Sequence, residues 1–189
     1  TFIGGIQEVS GADVIDYRHM TVADVARDYV YLDLSNQTTT VKQSNVTTAI
    51  DQFSGIEKFI LTSGNDTIKG NIDANNLNGE LGSDTVRYDY LTTGKNVTVN
   101  FNTNSATTTV AGDNDTYTSI ENVFGSSGND TFIMNAIDDV ENTINGGTAG
   151  VDTISYVNYT TKVIVNLGAT DGINTVIGSE GTYLSGGQQ

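Results

Sequence analysis

The chain has 189 residues, with 23 Asp plus Glu against 8 Lys plus Arg and a formal charge of −15. That balance argues against nucleic acid and anionic membrane as partners and for divalent cations that relieve self-repulsion. Cys, Pro and Trp are absent, which excludes disulfides and thiolate metal sites and is compatible with export. Hydrophobics at 37% fall in alternating runs, against intrinsic disorder. No stretch approaches the ~18 apolar residues of a membrane-spanning helix. The 21 Gly, with abundant Thr, Asn and Asp, favour turns and strands over helices.

In chain order, Thr1 to Gly5 do not read as a signal peptide. Ile3-Gly4-Gly5 resembles Leu77-Asn78-Gly79 and Ile144-Asn145-Gly146, so the chain is expected to begin inside a repeat array. Gly11-Ala12-Asp13-Val14-Ile15-Asp16-Tyr17 recurs as Gly82-Ser83-Asp84-Thr85-Val86-Arg87-Tyr88 and as Gly150-Val151-Asp152-Thr153-Ile154-Ser155-Tyr156. Only the first copy is followed by a stretch of helical spacing, Met20 to Tyr31, with Val22, Val25, Ala26 and Tyr29 on one face. The one histidine, His19, has no counterpart elsewhere and reads as a surface residue.

Each copy then runs into an alternating strand: Val30 to Leu34, Val97 to Phe101, Val163 to Leu167. Val97, Val99 and Phe101 face one way, with Thr98 and Asn100 opposite. Asp33, Asn100 and Asn166 read as an outward polar column across units. Ile56-Glu57-Lys58-Phe59 and Ile120-Glu121-Asn122-Val123 follow, then Ser-Gly-Asn-Asp-Thr at 63–67 and 127–131. These landmarks define units of approximately 11–78 and 79–146 and a partial unit, 147–189, in a single array. One unit cannot bury its apolar face alone. The expectation is therefore an all-β solenoid, with equivalent strands stacked in register along one axis.

Residues 62–88 carry a finer period. Asp66, Asn75 and Asp84 recur every nine residues, and Ile68, Leu77 and Val86 follow two residues behind each. The polar residue belongs in a turn and the aliphatic in the core. This pattern resembles the hemolysin-type calcium-binding repeats, the RTX nonapeptides of form G-G-x-G-x-D-x-U-x. The resemblance implies a right-handed parallel β-roll in which calcium lies between turns one coil apart. It would be bound by Asp carboxylates and backbone carbonyls. Asp66 and Asp84 would share a calcium on one edge, with Asn75 on the opposite edge. The longer unit is also similar to spacers of large secreted adhesins and surface-layer proteins. The double glycine of the pattern is mostly missing: Ser63-Gly64 and Leu81-Gly82 carry one each.

Calcium wants six to eight oxygens at about 2.3–2.6 Å. Two stacked turns of Gly-x-Asp type offer carboxylates and carbonyls together. The candidate ligand turns are Gly64-Asn65-Asp66 with Gly82-Ser83-Asp84, and Gly128-Asn129-Asp130 with Gly150 and Asp152. Asp13 stands in a matching turn. In the second pair the Asp residues are 22 apart rather than 18, with the extra residues around Ile137 to Glu141 and Thr148. The competing reading of every Gly-Asn-Asp is ordinary turn chemistry, with Asp accepting backbone amides. Gly112-Asp113-Asn114-Asp115, Asp138 and Asp139 read as solvated. Tyr17, Tyr88 and Tyr156 recur at one phase and read as structural. Asn-x-Thr matches, as at Asn65 and Asn129, are expected from composition and say little about glycosylation.

Enzyme signatures are lacking: no phosphate loop, nucleophile elbow or His metal cluster is present. The expected function is a non-enzymatic, calcium-binding structural module. By the resemblance it belongs to a surface-layer protein or adhesin, secreted to the bacterial cell surface by a type I system, with self-association or surface polysaccharide as further partners. The alternatives are a calcium-dependent accessory module of a secreted enzyme and a carbohydrate-binding β-helix. The last would show an exposed column of aromatics.

Overall fold

Short apolar runs punctuated by Gly, Asn and Asp turns leave room only for short strands. The computed structural model describes residues 13–92, 94–136, 142–160, 163–166, 173–178 and 183–185. It is all-β, with no helix among the described residues. The strands are β1 (Val14–Asp16), β2 (Tyr29–Asp33), β3 (Thr38–Gln43), β4 (Val46–Gln52), β5 (Lys58–Ile60), β6 (Thr67–Lys69), β7 (Asn76–Asn78), β8 (Thr85–Arg87) and β9 (Val97–Asn100). They continue with β10 (Ser105–Thr108), β11 (Asn114–Thr118), β12 (Asn122–Phe124), β13 (Thr131–Ile133), β14 (Thr143–Asn145), β15 (Asp152–Tyr156), β16 (Ile164–Asn166), β17 (Ile173–Gly178) and β18 (Tyr183–Ser185).

Two mixed sheets hold all but the β16–β18 pair. One has nine strands in the order β1-β5-β7-β11-β10-β9-β13-β15-β17, the other seven in the order β14-β12-β8-β6-β2-β3-β4. From β5 to β9 successive strands alternate between the sheets, and so do β11 to β15. Strands brought together this way pair in parallel, as Ile68 does with Val86 and Phe132 with Ile154. Antiparallel pairing is confined, among the described residues, to two meanders, β2-β3-β4 and β9-β10-β11.

The period of two places the aliphatics inward. Ile68, Leu77 and Val86 are buried, as are Val30, Leu32 and Leu34 and their counterparts Val97, Val99 and Phe101. Tyr17 and Tyr88 are buried with them, and Tyr156 packs against the same cluster. His19 is exposed on a turn.

Two expectations are corrected. First, equivalent strands do not stack on one another. β2 lies in the seven-stranded sheet and its counterpart β9 in the nine-stranded one. The chain crosses between sheets five times from β2 to β9, by way of β5, β6, β7 and β8. An odd number of crossings puts β9 on the opposite sheet from β2, and likewise β12 from β5 and β13 from β6. Asp33 and Asn100 therefore form no column. Each closes the turn after its own strand: Asp33 accepts from Ser35 Oγ at 2.6 Å and Asn36 N at 3.1 Å, and Asn100 Oδ1 accepts from Asn102 N at 3.0 Å. The Asn166 side chain lies outside what is described.

Second, Met20 to Tyr31 is not helical. Arg27 N and Asp28 N both donate to the Asp24 carbonyl, making one turn, and β2 begins at Tyr29. The Asp28 carboxylate accepts from Ala23 N, Asp24 N and Ser44 N, which fixes a loop in place of a helix. Val25 and Ala26 are exposed, so the helical stripe finds nothing to bury against.

Leu77→Ala and Phe132→Ala should each cost about 2–5 kcal/mol in urea denaturation, since both side chains are 0% exposed. Gly82→Ala should cost more than about 1 kcal/mol, because Gly82 has φ +131° and a Cβ there would collide with the Gly64 carbonyl oxygen. A wild-type midpoint for G82A would contradict the close stacking of these turns.

Candidate functional site

The turns before β8 and β15 begin with close backbone contact. Gly82 sits against the Gly64 carbonyl, and Gly150 (φ +100°) against the Gly128 carbonyl. The amides of one turn then face the side chains of the next coil. In the seven-stranded sheet, Val30 N donates to Asp66 Oδ1 at 2.6 Å, Asp66 N to Asp84 Oδ1 at 2.7 Å, and Asp84 N to Glu121 Oε2 at 2.9 Å. In the nine-stranded sheet, Val97 N donates to Asp130 Oδ1 at 2.8 Å and Asp130 N to Asp152 Oδ1 at 2.9 Å. Asn side chains reach the other way along the coils. Asn65 Oδ1 accepts from Ser83 N at 3.0 Å, and Asn129 Oδ1 from Val151 N at 2.8 Å.

The structure thus brings together both Asp pairs expected from the sequence. Asp66 and Asp84 lie in neighbouring turns, and so do Asp130 and Asp152 despite their longer separation. Asn75 is in the other sheet, where its N–H donates to Asp115 Oδ1 at 3.0 Å. Asp13 is half-buried, and its carbonyl accepts from Lys58 N at 3.2 Å. Asp138 and Asp139 lie outside the described residues.

Asp66, Asp84, Asp130 and Asp152 are at most 2% exposed. Among the described residues, ion pairs are made by Asp16, Asp24, Asp33 and Asp89, and none by Asp66, Asp84 or Asp130. Burial pushes Asp66 up to about 6, against the lowering effect of the Val30 and Thr62 amides. Asp84 is pushed up to about 8 by burial, with the nearby Asp66 and Glu121 charges adding to it against the lowering Asp66 amide. Burial also raises Asp130 and Asp152.

The donors decide how well a calcium ion fits. Both oxygens of Asp66 are taken: Thr62 N donates to Oδ2 at 2.8 Å and Thr62 Oγ1 reaches both oxygens. Asp130 is saturated in the same way by Ser126 N at 2.6 Å and Ser126 Oγ at 2.6 Å. These two carboxylates are amide and hydroxyl acceptors as folded and do not fit as open calcium ligands. Asp84 differs, because its Oδ2 is buried without a hydrogen-bond partner. That oxygen fits a cation. Among the described residues, no group of three or more His, Cys, Asp or Glu comes together as a metal site. A cation here would draw its remaining ligands from carbonyls and water.

Several residues were not singled out from the sequence. Thr62 and Ser126, each four residues before its Asp, supply the saturating hydroxyls, and Glu121 ends one column. The spacing Thr-x-x-x-Asp and Ser-x-x-x-Asp was the available signal. The Asp113–Asp115 turn also corrects an expectation, since it is not solvated: the two residues are 0% and 2% exposed. Tyr90 and Thr108 hydroxyls donate to Asp113 Oδ2, each at 2.8 Å, and Tyr88 donates to Asp115 Oδ2 at 2.8 Å while meeting the Tyr117 hydroxyl. Burial raises Asp113 and lifts Asp115 to about 6. Tyr88 and Tyr90, which follow β8, and Tyr117 of β11 draw these two carboxylates inward.

No protein-family model matches the chain, and no curated protein matches it. No helix among the described residues is long and apolar enough to cross a membrane.

Because these carboxyls titrate higher folded than unfolded, the folded chain binds more protons. Their contribution is complete below the ordinary value of 3.8 and is lost as pH rises through about 6 (Asp66, Asp115) and about 8 (Asp84). In chelator, thermal unfolding should therefore show a rising midpoint as pH is lowered from about 8 to about 5, the reverse of a salt-bridged carboxylate. A midpoint that falls over that window would contradict the burial of these groups as the dominant influence on their titration.

Proposed function

We propose that this chain is a non-enzymatic, calcium-stabilised structural module of the RTX type, a right-handed parallel β-roll interrupted by meanders and working outside the cell. The observation that carries the reading is Asp84: a buried carboxylate in a column without cationic partners, one of whose oxygens has no donor. A buried carboxylate left this way strongly disfavours its own charge unless a proton or a cation meets it. With a net charge of −15, the chain as a whole also gains from cations. Low cytosolic calcium would leave the fold weak, and millimolar calcium outside would secure it.

A surface-layer protein or adhesin, exported by a type I system, is the setting that suits it best. Acidic, Pro-free repeats with stacking turns make a long spacer, and calcium at the turns makes the spacer stiff where it works. The RTX resemblance rests on the nonapeptide spacing of Asp66, Asn75 and Asp84 and their buried Ile68, Leu77 and Val86. The column carboxylates serve backbone amides, which suits scaffold work better than general acid–base chemistry. The carbohydrate-binding alternative is disfavoured because the large exposed apolar residues among those described are Val, Ile and Leu, without an aromatic column.

Circular dichroism and thermal unfolding in calcium, magnesium and chelator test the reading. At calcium a hundredfold above Kd the gain should be about 2.7 kcal/mol per site, or about 2–4 °C per kcal/mol in midpoint for a chain of this size. Identical midpoints in calcium and chelator at pH 7.5 would sink it.

A further inference from the structure

The column carboxylates differ at one place in the sequence, four residues upstream. Asp66 has Thr62 there and Asp130 has Ser126, and each supplies an N–H and a hydroxyl to its Asp. Asp84 has Glu80, which carries no hydroxyl. Its backbone is left-handed (φ +69°), and its N–H turns away to Asn78 Oδ1 at 3.0 Å. Asp84 Oδ1 takes the Asp66 amide at 2.7 Å, so this oxygen faces the preceding coil. Oδ2 points elsewhere and is buried without a partner.

Where Oδ2 points is shown by Gly79. A Cβ on Gly79 would collide with both Asp84 Oδ2 and the Ser119 carbonyl oxygen. Two oxygens, one charged and one a strong dipole, thus converge on the space that the missing side chain leaves. Neither can donate a hydrogen bond to the other when Asp84 is ionised. Ser119 is itself left-handed at φ +52°, a conformation seldom adopted by residues other than glycine. Beside them the half-buried Glu121 brings a second carboxylate, its Oε2 accepting from Asp84 N at 2.9 Å. Carboxylate, carbonyl and carboxylate thus lie in two adjacent turns, with the exposed Ser119 at their edge.

We propose that calcium is held between the turn at 79–84 and the turn at 119–121, by Asp84 Oδ2, the Ser119 carbonyl oxygen and the Glu121 carboxylate. This rests on the calcium reading above but moves the ion to the far side of Asp84, away from Asp66. Water completes the shell, as expected for a hard cation with few charged ligands. Asp66 is then a strut that orients Asp84 through its amide and makes no contact with the ion. Glu80 is the sequence feature that leaves Asp84 available, and Gly79 is the one that lets the two turns close on it.

The test is calorimetric titration of the full chain with calcium chloride, alongside thermal unfolding, for wild type, Glu121→Gln and Asp84→Asn. E121Q keeps an oxygen for the Asp84 amide and should fold, while weakening one class of site about tenfold. D84N keeps the acceptor for Asp66 N and removes the buried charge. It should lose that class of site, yet unfold at a higher temperature than wild type in chelator. Wild-type affinity in E121Q, with calcium still bound, would overturn the assignment and leave the calcium reading intact. So would a D84N chain that is destabilised equally in calcium and chelator, since Asp84 would then be a strut alone. No calcium binding by the wild-type chain would remove both.

Discussion

A turn side chain accepting a backbone N–H from the neighbouring coil is the contact on which the rest of this structure depends. Most strands are three residues long, too short for their ladder hydrogen bonds to hold a stack by themselves. The turns between them bring amides into a buried region where each must find an acceptor. Asp66, Asp84, Asp130 and Asp152 supply those acceptors from one side, and Asn65 and Asn129 from the other. Hydrogen bonds to a charged acceptor contribute about 1.5–3 kcal/mol each. The glycines allow the approach, and the aliphatics two residues on seal the core beneath it.

That solution has a cost, which connects scaffold to function. Each strut buries a carboxylate, and no Lys or Arg among the described residues pairs with Asp66, Asp84 or Asp130. Hydroxyls from Thr62 and Ser126 solvate two of the carboxylates. Where Glu80 stands instead, the carboxylate is left short of a donor. Among these struts the need for a proton or cation is therefore greater at Asp84 than at Asp66 or Asp130. A fold in which most turns are satisfied by their own chain and a few require an ion is what a long spacer with sparse calcium staples would need.

The meanders set the wider geometry. They insert antiparallel strands into an otherwise parallel stack, and with five crossings from β2 to β9 they place successive units on alternate sheets. The same chemistry consequently builds two separate columns. Asp66, Asp84 and Glu121 belong to the seven-stranded sheet, and Asp130 and Asp152 to the nine-stranded one.

The all-β class, the inward phase of Ile68, Leu77, Val86, Val97 and Val99, and the pairing of Asp66 with Asp84 and Asp130 with Asp152 were legible in the sequence. Period two and period nine are local properties, and burial enforces them. The tertiary structure alone decided that β2 and β9 occupy opposite sheets, because that depends on how many times the chain crosses. It alone turned the Asp113–Asp115 segment inward, because Tyr88 and Tyr90 reach it from the turn after β8. It also decided that Asp84 Oδ2 is left without a donor while both oxygens of Asp66 and Asp130 are filled. Four Asp residues look alike in the repeat, but whether the residue four before each turns its donors onto the carboxylate depends on the folded backbone, as the left-handed Glu80 shows, and the remaining amide comes from a neighbouring coil that only folding brings near.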